Sequence, residues 1–127
     1  MTDRNFGYLG DKFQLKLLSL LIVDTKFADN IVDAIEPTYF DDQYCRLLMQ
    51  LIKEYYGKYE AVPTYDALDQ LIRIEVSNET AKDVLKDTLK KLKEQDFSDA
   101  DFTQQTALKF CKQQEIKKAI SNSEKIM

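Results

Sequence analysis

Four groups of residues have types and spacings that could carry chemistry. Asp41 and Asp42 are adjacent carboxylates, the raw material of a cation site. Neighbouring positions point in different directions, however, and accepting the free amides at the start of a helix fits the pair better. Tyr55, Tyr56 and Tyr59 could stack single-stranded bases, with Lys53 and Lys58 close by. Glu54 and Glu60 oppose those two lysines, and Tyr55 and Tyr59 fall on the apolar stripe of a predicted helix. We therefore expect Tyr55 and Tyr59 to be part of a core wall and Tyr56, which lies off the stripe, to be exposed. Cys45 and Cys111 are the only cysteines and there is no histidine, so neither a zinc quartet nor a Cys–His nucleophile can be assembled. Both cysteines sit beside apolar positions in different predicted helices, which points to buried free thiols. Gly7-Tyr8-Leu9-Gly10 is the one close glycine pair and leads to no Lys-Ser/Thr, so it is no phosphate loop. The expectation is a chain with no catalytic residue, no metal and no cofactor.

Charge narrows the partners. The net charge is −4; residues 1–60 carry seven Lys/Arg against ten Asp/Glu, residues 61–97 six against eight, and residues 98–127 five against four. A domain that grips phosphates presents a basic face, so strong direct binding to nucleic acid is not expected. The longest apolar run, Leu17 to Val23 with Ser19 inside it, is far short of the ~20 residues that span a bilayer. Met1-Thr2-Asp3-Arg4-Asn5 lacks the basic-then-apolar layout of a signal peptide. A cytoplasmic protein that engages no membrane is the plain reading.

The elements that must position these residues are helical. Asp11 to Asp24 is apolar nearly all round, as expected of a central helix packed on several sides, with Asp11 as N-cap or first-turn acid. Phe27, Ile31 and Ile35 recur every four residues, and the helix they mark must end near Glu36 because Pro37 pushes its predecessor out of the α region. Asp41 or Asp42 opens a third helix, whose stripe runs through Tyr44, Leu47, Leu48, Leu51, Ile52, Tyr55 and Tyr59, with Gly57 near its end. Pro63 and the cap Thr64 open a fourth with Leu68, Leu71 and Ile72 inside. Ser77 or Asn78 opens a fifth through Ala81, Val84, Leu85, Thr88, Leu89 and Leu92. A last helix runs from about Asp99 through Phe102, Leu108, Phe110, Cys111, Ile116, Ala119 and Ile120. The fold class is all-α, about six helices: a small helical bundle with a C-terminal helical hairpin. It is one domain overall, with residues 1–76 as bundle core and 77–127 as the hairpin. The narrow stripes of the last two helices suit either a seam between subunits or folding back on the bundle, and periodicity favours the second.

The prolines explain the clustered aromatics. Pro37 and Pro63 bracket the third helix, and Tyr39, Phe40, Tyr59 and Tyr65 beside them can close over its ends as lids.

The order of these signals resembles the N-terminal domain of DnaB-type replicative DNA helicases, in their phage-like branch. The residues that carry the resemblance are FQLKLLSLLIVDTKFADNIVDAIEPTYFDD, then a long helix, then YGKYEAVPTYDALDQLI, and finally ALKFCKQQEIKKAISNS at residues 107 to 123, similar to the stretch leading towards the interdomain linker. The resemblance covers most of the chain, and its weight lies in the order and spacing of the pieces. It implies a non-catalytic domain whose hairpins pair between subunits, as a dimer or trimer of dimers, into a collar above a hexameric ring. The collar would dock primase and, in some systems, a helicase loader; the parent would unwind DNA 5′→3′, with ATP and Mg held in an ATPase domain that is not among these residues. The resemblance implies host-cytoplasmic location for a phage protein. Mapped onto this chain, the seam would use Leu85, Leu89, Leu92, Phe110, Ile116 and Ile120. The alternative is a stand-alone helical protein–protein adaptor with no helicase parent; a nucleic-acid-binding helical domain ranks behind both on charge.

Overall fold

The computed structural model describes residues 5–126, with side chains as far as residue 121; the reading of the first four residues lies outside it. Among the described residues there are six α-helices and no strand: α1 (Asp11–Val23), α2 (Thr25–Ile31), α3 (Gln43–Tyr59), α4 (Tyr65–Glu75), α5 (Glu79–Lys93) and α6 (Ala100–Ile126). Short 3-10 turns cover Phe6–Leu9 and Pro37–Tyr39.

Four helices start where a short polar side chain accepts an otherwise orphaned amide. Asp24 accepts from the Phe27 N–H at 3.1 Å, Asp42 from Cys45 at 3.0 Å, Thr64 from Ala67 at 3.1 Å and Asn78 from Ala81 at 2.9 Å. Each such cap is worth roughly 0.5–2 kcal/mol. Asp42 and Asn78 are thus the caps at the two positions where the sequence left a choice. Asp11 is the first residue of α1 and the cap is Gly10, whose φ of 92° is open to glycine. α3 runs through Gly57 and stops at Glu60, which takes the left-handed conformation at φ 57°.

α1 is the centre of the bundle. It packs against α2, α3, α5 and α6, and Phe13, Leu17, Leu18, Leu20, Leu21 and Ile22 are all buried. Its one mid-helix hydroxyl is used: Ser19 Oγ donates to the Leu92 carbonyl at 3.0 Å and lies 3.2 Å from the Tyr65 hydroxyl, joining α1, α4 and the end of α5.

The Pro37 corner closes over one end of this core. Glu36 is extended, Phe40 is fully buried, Tyr39 is nearly so, and both join a nest of rings around Phe6. The Phe6 ring centroid lies 4.6 Å from Phe110, 5.2 Å from Phe40, 5.5 Å from Phe13 and 6.1 Å from Tyr39. Three polar side chains tie the corner's backbone. Lys53 Nζ donates to the Ile35 carbonyl at 2.7 Å and Arg46 Nε to the Phe40 carbonyl at 2.6 Å. The buried Gln14 accepts from the Asp41 N–H at 2.8 Å. At the second corner Pro63 is buried and Tyr65 half-buried, as a lid would be.

Two expectations are corrected. Tyr59 is no lid: it is 64% exposed and its ring packs on the half-buried Tyr55 at 4.6 Å, because the last turn of α3 runs beyond the core it lines. Tyr56 is half-buried, its hydroxyl donating to Asp29 at 3.0 Å. α5 and α6 fold back on the bundle, the arrangement periodicity favours: α5 packs on α1, α3 and α4, and α6 packs on α1. α1 offers apolar surface on every side, and α5 can bury its stripe there without a second subunit.

Candidate interaction surface

The six proposed seam residues divide into two groups. Leu85, Leu89, Leu92 and Phe110 are buried within the single chain and are not available to a second one. Ile116 and Ile120 are 54% and 56% exposed, one helical turn apart on α6. Phe102, further back on the same helix, is also exposed. Phe102, Ile116 and Ile120 share the outward side of α6, at spacings of fourteen and four residues, while Thr103, Ala107, Phe110 and Cys111 are buried. Among the residues of α6 whose side chains are described, Cys111 is the last buried one, and the helix backbone continues beyond it for about 22 Å at 1.5 Å per residue.

Several contacts hold α6 in place. Before its first residue, Asp99 pairs with Lys16 at 2.8 Å. One turn in, Gln104 Nε2 donates to Asp24 at 2.9 Å. Phe110 sits in the ring nest, 5.2 Å from Tyr39. Beyond the core, Lys118 Nζ donates to the Glu36 carboxylate and lies 5.7 Å from the centroid of the Tyr39 ring. The Tyr39 hydroxyl lies beneath this clasp, and burial, followed by the neighbouring Glu36, raises its pKa.

The clasp sets a pH dependence. The hydrogen bond from Lys118 holds the Glu36 carboxyl below its ordinary value of 4.5, and the same bond raises Lys118 above 10.5. A depressed carboxylate contributes stability above its unfolded pKa and loses it as pH falls through the folded value. A raised lysine contributes below its unfolded pKa and loses it as pH rises through the folded value. The difference in melting temperature between the wild type and Glu36→Gln should be present at neutral pH and disappear as pH drops below 4.5. A difference that persists in strong acid would show that the carboxylate's charge has no part in it.

Asp42 caps α3, and its neighbour Asp41 is exposed. Among the described residues no group of three or more His, Cys, Asp or Glu could hold a metal ion, and no helix is long and apolar enough to cross a membrane. Tyr55 and Tyr59 line a shallow cleft with Glu54, Lys58 and Glu75, which is not a basic groove. Cys45 and Cys111 are both free and buried, and burial pushes each thiol up to about 12. A thiolate is the reactive form, so neither should react with a thiol reagent at mildly alkaline pH while folded, and both should react after denaturation. Rapid native labelling of either would contradict their placement.

No protein-family model, curated protein or solved structure matches this chain. The exposed Phe102 had a signal in the sequence, its place in the apolar series of the last helix. Nothing in that series indicated which members would face outward.

Proposed function

We propose that this chain is a non-catalytic assembly and docking domain of the kind at the N-terminus of DnaB-type, phage-branch replicative helicases. In that reading it supports a hexameric 5′→3′ DNA helicase ring and docks primase or a loader during DNA replication. The observation that carries the proposal is the outward apolar face of α6, with Ile116 and Ile120 exposed on a helix that outruns its own core. Such a face on a long helix is suited to covering by another chain. The order of sequence signals described above supplies the family. Self-association as a dimer or trimer of dimers follows from the reading, with α6 rather than α5 as the arm that takes part. ATP and Mg would belong to the ATPase part of the parent. The rival, a stand-alone adaptor, draws on the fact that α5 is absorbed into the bundle, leaving a single free arm.

The test is a calorimetric titration of the chain with the primase encoded in the same genome, beside a fluorescence titration with a labelled oligothymidine. Saturable heat with primase and no DNA binding at physiological salt is the expected pair of results. No heat with primase, together with tight DNA binding, would overturn the reading.

A further inference from the structure

A groove runs between α3 and α5. Two concavities, of about 330 and 430 Å³, meet at Tyr44, which lines both. The floor is made of Leu15, Tyr44, Leu47 and Ala81, half-buried and packed against the core, with the half-buried Val84 beside them. Asp11 and Asp42 line one end, with Lys91 opposite them. Lys91 is engaged by Asp87 at 3.6 Å. The groove therefore has an apolar floor and two lining carboxylates, Asp11 and Asp42, against one ammonium that Asp87 already pairs. From Thr80 to Lys91 it follows α5 for about 16 Å.

The outer face of α6 complements it. Ile116 and Ile120 are exposed there, and Lys109, Lys112 and Lys117 are exposed with no ion-pair partner among the described residues. Glu115 is the acidic residue among them. The stretch from Lys109 to Ile120 is also about 16 Å long. We propose that the outer face of α6 of one copy seats in the α3–α5 groove of a second copy, isoleucines on the floor and lysines towards Asp11 and Asp42. A chain cannot fill its own groove, because its α6 lies along α1 and is clasped to Glu36. Groove and helix are different patches, so the contact is head-to-tail, and repeated it closes into a ring or extends as a filament. The inference rests on the self-association part of the proposed function and adds the surface that receives α6.

Two variants test it by sedimentation velocity, alone and mixed. Asp11→Lys with Ala81→Lys obstructs the groove; Lys112→Glu with Ile116→Asp spoils the helix face. Each should fold with a wild-type melting curve. Should the groove variant melt early, Asp11→Lys with Asp87→Lys, both at exposed positions, replaces it. Each variant alone should self-associate at least about tenfold more weakly than the wild type, as loss of a central apolar or charged anchor does. Their equimolar mixture should form a one-to-one dimer and nothing larger, since one intact groove and one intact α6 remain. If the groove variant alone still associates like wild type, α6 pairs with α6; the groove assignment then falls while the self-association reading stands. A mixture that stays monomeric also overturns the assignment, and a monomeric wild type overturns both.

Discussion

Phe40→Ala is expected to lower the stability of the domain by about 3–5 kcal/mol, the range for removing a fully buried phenyl ring. Phe40 has no exposed surface and packs edge-on at 5.2 Å against Phe6, the ring to which Phe13, Tyr39 and Phe110 also pack. The backbone around it cannot slide in to fill the space. Arg46 holds its carbonyl, Gln14 holds the next amide, and Pro37 fixes the turn that precedes it. A domain of this size has about 5–15 kcal/mol to lose, and the melting temperature should fall by about 10–20 °C. An unchanged melting temperature would mean that the corner is not a lid on the core.

Leu85→Asp should not yield a folded monomer; it should abolish the cooperative melt. Leu85 is fully buried where α5 meets the bundle, and α5 has α1, α3 and α4 as partners. An ionised carboxylate there has no counter-charge, and the cost of burying it is comparable to the whole stability of the domain, about 5–15 kcal/mol. The same substitution at Ile116, which is 54% exposed, should leave the melting curve unchanged. The contrast separates two accounts of the last two helices. A folded Leu85→Asp variant that merely fails to associate would make α5 a detachable arm, as a seam between subunits at Leu85 requires.

The parts of this fold legible in the sequence are those whose causes are local. Asp24, Asp42, Thr64 and Asn78 cap helices because a short side chain reaches an amide three residues on, and that spacing is written in the chain. Pro37 forces Glu36 into an extended conformation whatever surrounds it. The all-round apolarity of α1 required a central position, since no other arrangement buries it. What periodicity could not supply was the partner of each face. The stripe of Leu85, Leu89 and Leu92 has the same spacing whether α1 or another subunit covers it. Tyr59 continues the stripe of α3 in register, yet the core ends before it does. The hub Phe6 lies outside any periodic segment, in a 3-10 turn whose ring contacts are long-range. Gln14, Arg46 and Lys53 carry no local signal of their roles, because the carbonyls and the amide they bind are brought to them by folding. The acidic groove shares this origin. Asp11, Asp42 and Lys91 come together only when α1, α3 and α5 pack.

The central claim, an assembly domain working through the outer face of α6, is tested most directly by sedimentation velocity over a concentration series from micromolar to millimolar. The wild-type chain is compared with Ile116→Asp combined with Ile120→Asp. The account predicts a wild type that shifts to dimers and larger species with rising concentration, and a double variant that stays monomeric with an unaltered melting curve. A wild type that remains monomeric throughout, or a double variant that associates as the wild type does, would contradict it.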